Sequence, residues 1–116
     1  MTTHYLVLDL DFEYDGSGDS DDKFDLFSDR VMDALCELEE VDSGIVDPDI
    51  AASLAKRKIN FYMGVKADST RDAERLFLAN VRTALHAAGC STPDWPTLRN
   101  PYDLPTPTKR ELASAS

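Results

Sequence analysis

Residues 5–14, YLVLDLDFEY, alternate between two faces. Leu6, Leu8, Leu10, Phe12 and Tyr14 fall on one face, and Tyr5, Val7, Asp9, Asp11 and Glu13 on the other. A period of two in β-prone residues predicts a strand with one buried face. Its second face becomes a row of carboxylates toward the C-terminal end. Residues 15–23, which hold two glycines, two serines and four aspartates, read as a loop.

A helix is predicted over residues 25–40. Phe27, Val31, Ala34, Leu35, Leu38 and Val41 recur at helical spacing and mark its buried side. Asp22 and Asp25 both qualify as N-caps. The opposite side carries Asp25, Asp29, Asp33 and Glu37 at successive i, i+4 positions, with Glu40 on the same stripe. Like charges at that spacing cost a few tenths of a kcal/mol per pair, so three pairs cost roughly 1 kcal/mol. The first acids gain from the helix dipole, whereas Glu37, Glu39 and Glu40 stand at its negative end.

Residues 41–48 read as a connection, because Pro48 cannot lie in a central strand. Residues 49–55 read as a short edge strand and Lys56-Arg57-Lys58 as a basic turn. Residues 59–67 alternate again, with Ile59, Phe61, Met63, Val65 and Ala67 inward. Residues 68–70 supply a cap for a helix over 71–88, which Gly89 ends. Ala73, Leu76, Phe77, Val81, Ala84, Leu85 and Ala88 line its buried side, and Arg71, Arg75 and Arg82 cluster opposite. Beyond Cys90 prolines break the pattern. Residues 97–100 have room for a short strand, Trp95, Leu98, Tyr102 and Leu104 are expected to pin the tail, and residues 108–116 are expected to be disordered.

The predicted order is β-α-β-β-α with a weak or absent fourth strand. Two helices on one face of an antiparallel sheet make an α+β two-layer sandwich, for which the ferredoxin-like arrangement is the commonest solution. The expected division is a domain over residues 1–95 and a proline-rich tail over 96–116, extended or disordered. In this arrangement the acidic loop and Lys56-Arg57-Lys58 share one end of the sheet, where they balance each other's charge. Without a fourth strand, one edge of the first strand stays open, which favours a homodimer by strand addition.

The chain has 116 residues and a net charge of −10. Residues 1–49 hold sixteen acids and two bases, and the remainder ten bases and six acids. Such an imbalance governs association more than fold. It repels free nucleic acid and anionic membrane and attracts a basic partner. At this size about two-thirds of the unfolded surface is buried, which leaves little room for a deep cavity. No apolar run reaches the ~18 residues of a membrane span. The start of the chain lacks the basic region of a signal peptide, so a cytoplasmic location is expected. Cys36 and Cys90 fit no metal-binding or CxxC pattern and are expected to be reduced.

The sharpest local pattern is residues 11–22, DFEYDGSGDSDD. Against a calcium-loop template, Asp11, Glu13 and Asp15 occupy positions one, three and five, Gly16 position six, and Asp19 and Asp22 positions nine and twelve. Position twelve is Asp instead of the bidentate Glu, position eight is Gly18, and a strand leads in. A solvated acidic loop explains the same residues. Gly16-Ser17-Gly18 cannot cradle phosphate, since aspartates crowd it. KINFYMGV fails the RNA-binding pattern of aromatics on this sheet. His4 and His86 have no cysteine partner and make no metal site.

The runs VDPDIAASLAKRKI (residues 46–59), VRTALHAAG (81–89) and TPDW (92–95) resemble small uncharacterised proteins of actinomycetes and their phages, over residues 5–95. These motifs are core and turn residues, so the resemblance implies a common fold and no activity or catalytic residue. Residues 15–22 and the tail lie outside it.

Three functions follow as expectations. The first is a non-catalytic binding or regulatory protein that grips a basic protein surface, as a nucleic-acid mimic in one version. It would use Asp25, Asp29, Asp33, Glu37 and Glu40 with Asp19, Asp21 and Asp22. The second is a calcium module built on Asp11, Glu13, Asp15, Asp19 and Asp22. The third is an enzyme using the sheet face of Asp9, Asp11, Glu13 and Tyr62, where close carboxylates could serve as acid and base.

Overall fold

The computed structural model describes residues 1–14, 20–90 and 105–114, with residues 13–14 and 105–114 described by their backbone. Strand β1 (Thr2–Tyr14) leads to helix α1 (Asp21–Val41), strands β2 (Ile45–Ser53) and β3 (Lys58–Ala67), helix α2 (Thr70–Ala87) and strand β4 (Pro105–Ser114). The sheet order is β2-β3-β1-β4, and every neighbouring pair is antiparallel. This is the α+β sandwich with ferredoxin-like topology that the pattern of residues predicts. Both helices cover one face of the sheet.

The alternation in β1 sets the core. Leu6, Leu8, Leu10 and Phe12 are buried, and Met63, Phe61 and Ile59 stand opposite the first three on β3. Phe24, Phe27, Val31 and Leu35 from α1 and Phe77, Val81 and Leu85 from α2 close the same cluster. No helix of the described residues is long and apolar enough to cross a membrane.

Four expectations need correction. Helix α1 starts at Asp21, and its N-cap is Ser20 instead of Asp22 or Asp25; the Ser20 hydroxyl accepts the Lys23 N–H at 3.2 Å. The reason is Phe24. It is wholly buried, its ring centroid 5.8 Å from that of Phe12 and 6.2 Å from that of Phe27, and this packing draws the preceding acids into the first turn. Second, β2 begins at Ile45, so residues 45–48 belong to a strand. A bulge between Val46 and Asp49 accommodates Pro48, with Asp47 at φ 48°. The bulge lets Ile45 and Pro48, three residues apart, both face inward. Third, Val41 and Leu76 are exposed, at 83% and 45%, although their spacing predicts burial. Fourth, a ten-residue β4 pairs with β1 through Ser114, where the sequence predicts a weak strand or none and a disordered end. Residues 97–100 lie outside the described residues. With β4 in place, β1 is an interior strand, and the open edge on which strand addition was expected is occupied.

Of the charge balance expected at the β2–β3 turn, the pair of Arg57 with Asp21 is seen, while residues 15–19 lie outside the described residues. Arg57, at φ 50°, places its guanidinium 2.7 Å from Asp21 and 5.5 Å from the Phe24 ring centroid. Its carbonyl accepts the Phe12 N–H at 2.8 Å. One residue of the turn thereby fastens β1 and the first turn of α1.

Candidate functional site

The buried residues of α1 fix which side faces solvent. With Phe24, Phe27, Val31, Ala34 and Leu35 held against the sheet, Asp25, Asp29, Asp33, Glu37 and Glu40 are all exposed. The structure thus brings the predicted stripe together on one surface. Asp21 and Asp22 are exposed in the first turn, although Asp21 is engaged by Arg57. Asp19 lies outside the described residues. Among the described residues no ion pair engages Asp25, Asp29, Asp33, Glu37 or Glu40.

An i, i+4 row advances about 40° around a helix at each step. The stripe therefore crosses α1 obliquely and reaches the side facing α2 at Glu37. There Ala34, Glu37, Leu38 and Val41 of α1 meet Thr83 and Ala87 of α2 around an open cleft of about 270 Å³. The last turn of α1 carries no basic residue, so the negative end of its dipole adds to Glu39 and Glu40. Glu39 accepts the Asp47 N–H at 2.8 Å, which ties one of these acids to the bulge. Arg71 and Arg75 are exposed on α2 and Arg82 is half-buried. Arg75 pairs with Asp72 at 3.4 Å.

The sheet face arranges its acids differently from an acid–base pair. Asp11 lies 3.7 Å from Lys58 and stands opposite it in the register. Asp9 stands opposite Asn60, and Tyr62 stands opposite Val7, so Tyr62 and Asp9 are diagonal neighbours. The Oδ1 of Asn60 is buried with no hydrogen-bond partner. Of the candidate calcium ligands, Asp15 and Asp19 lie outside the described residues, as does the side chain of Glu13. Among the described residues no group of three or more His, Cys, Asp or Glu side chains is placed to hold a metal ion.

Two features escape the sequence. One is the inter-helix cleft, whose α1 wall of Ala34, Leu38 and Val41 reads as core and whose α2 wall of Thr83 and Ala87 carries no signal of its own. The other is Arg57, whose turn position hides its contact with Phe24. Cys36 is exposed on α1. Cys90 is wholly buried, and burial pushes its thiol up to about 12 from 9.0, which keeps it protonated. No protein-family model matches the chain, and no curated protein matches it.

Proposed function

We propose that the protein is a small cytoplasmic binding or regulatory protein, without catalysis, that grips a basic protein surface through the outer face of α1. The observation that carries this reading is the exposed row Asp25, Asp29, Asp33, Glu37 and Glu40, which no described cation engages. Such a row raises the energy of the free protein slightly and returns that energy when cations meet it.

The spacing bears on the nucleic-acid-mimic version. Successive acids of the row rise about 6 Å along the axis, whereas one DNA strand carries a phosphate every ~3.4 Å of axis. Over residues 21–40 eight acids are set against Lys23 and Arg30. The face is a dilute imitation of a phosphate line, which suits a general basic surface better than a groove shaped for nucleic acid.

The test is affinity capture from a lysate at 50 mM and 500 mM salt, with the full chain and with D25N/D29N/D33N/E37Q. Basic proteins should bind the parent chain at low salt and be lost both at high salt and with the quadruple variant, since the Debye length at physiological strength is only about 8 Å. If no basic protein separates the two baits at low salt, the reading is abandoned.

A further inference from the structure

Three regions of the molecule stand apart from the acidic row as candidates for recognition. An open hollow of about 350 Å³ between Met1, Gly44 and Lys66 mixes polar and apolar walls without a convergent set of groups. On the sheet face, among the described residues, Asp11 is paired within the chain to Lys58. The seam between α1 and α2 combines shape, apolar surface and charge.

Along that seam Ala34, Leu38 and Val41 span two turns of α1, about 10 Å. They face Thr83 and Ala87 on α2. Val41, which the helical pattern predicts as core, is left 83% exposed here. The donors of Thr83, which lines the cleft, and of Asn80, one turn before it, are engaged by their own helix. Asn80 donates its side-chain amide to the Leu76 carbonyl at 2.8 Å, and the Thr83 hydroxyl donates to the Ala79 carbonyl at 2.9 Å. Thr83 therefore offers a visitor its methyl group and an acceptor oxygen, with its hydroxyl proton already engaged. The cleft of about 270 Å³ suits a side chain or two more than a cofactor, because small-molecule sites usually start near 300 Å³ and are more enclosed.

The charged side chain that lines this cleft is acidic, Glu37. Asp33, Glu37 and Glu40 are exposed on α1, and its final turn places the negative end of the helix dipole there with no basic side chain in that turn. We infer that the seam receives an amphipathic, basic helix of a partner protein. That helix lays two bulky apolar side chains, one or two turns apart, into the cleft and sets Lys or Arg against Asp33, Glu37 and Glu40. Helix-in-groove recognition uses anchors at this spacing. A second copy of the chain is the poorer occupant, since its net charge is −10 and its own basic helix face carries only three arginines. The inference rests on the basic-partner reading above and adds the apolar anchor and the place.

The probe is a synthetic 18-residue helical peptide with leucines at i, i+4 and i+7 and lysines on both flanks, compared with the same peptide carrying serine for leucine. Binding to the full ¹⁵N-labelled chain is read by amide shifts and by calorimetry at low salt. The leucine peptide should move amides of residues 34–41 and 83–87 and bind at least about tenfold tighter than the serine peptide, since burying even one leucine is worth that factor. Ala87→Phe, which plugs the cleft from an exposed position, should cost the leucine peptide about tenfold and the serine peptide nothing. Glu37→Gln with Glu40→Gln should weaken both peptides several-fold. If the two peptides bind alike and Ala87→Phe changes neither, the cleft is not the site, while the basic-partner reading stands. If neither peptide binds, both fall. If the chain itself dimerises with shifts at 34–41, the seam belongs to a second copy and the inference is overturned.

Discussion

Replacing Glu37 by lysine should stabilise the folded protein while weakening its hold on cations. Glu37 follows Asp33 by four residues and precedes Glu40 by three, and all three are exposed on the same side of α1. Each like-charge pair at this spacing costs about 0.2–0.5 kcal/mol, and an opposite pair returns a similar amount. Turning two repulsions into two attractions therefore yields about 1 kcal/mol, and neutral Glu37→Gln about half of it. The helix dipole adds little, since position 37 stands just before the last turn. With a urea m-value near 2 kcal/mol/M, the midpoint should rise by about 0.5 M, and the melting temperature by about 4 °C. Both gains should shrink by half or more in 0.5 M salt, because exposed pairs are screened. Equilibrium urea unfolding at 10 mM and 500 mM salt measures this, with an unchanged m-value as the control for a two-state comparison. A variant no more stable than the parent at low salt would refute the reasoning, since it would mean that the row is already neutralised. A gain indifferent to salt would refute it as well.

Two further predictions concern the framework. Gly64→Ala should destabilise by about 1–3 kcal/mol by urea unfolding, because its Cβ would meet Tyr5 Cε1 at 3.0 Å and Val46 Cβ at 3.1 Å. The exposed tyrosine ring can swing aside but Val46 cannot without moving β2, so Tyr5→Ala should rescue only part of the loss. A thiol reagent at pH 8 should titrate Cys36 alone in the native protein and both cysteines in denaturant. Because burial raises the Cys90 thiol to about 12, the stability it contributes is complete below about pH 9 and is lost as pH rises through 12. Alkaline unfolding should therefore begin at lower pH in the parent chain than in Cys90→Ala, once each is compared with its own stability at pH 8.

The fold was readable because period and burial agree. β1 and β3 alternate, and every inward residue the pattern marks between Leu6 and Phe12 is buried. The α1 stripe was readable for the complementary reason, since residues excluded from a packed face must go outside. The misses share a different physics. Phe24 stands alone among four charged residues, DDKFD, so periodicity gave it no weight until Phe12 and Phe27 supplied partners. Val41 and Leu76 have core spacing, but Val41 lines the cleft between α1 and α2 and Leu76 the hollow beside Gly44. Residues 45–48 hid a strand because a proline there is acceptable only at a bulge on an edge, which is a property of the sheet. β4 follows Pro93, Pro96 and Pro101, holds Pro105 and Pro107 itself and carries little apolar alternation, so pairing with β1 accounts for it better than any local preference.

The bulge in β2 also bears on how the molecule meets copies of itself. A sheet whose last strand is straight is a template that another chain can extend, and each addition exposes a new template. Here the edge lacks the Pro48 donor and is broken at Asp47 by a left-handed backbone turn. Growth of a continuous ladder along that side is blocked by covalent geometry. Unlike the repulsion of a −10 chain, this barrier does not weaken in salt or when the carboxylates take up protons. A protein with a pI near 4.4 that loses its charge in acid thus keeps one safeguard against propagating through β2.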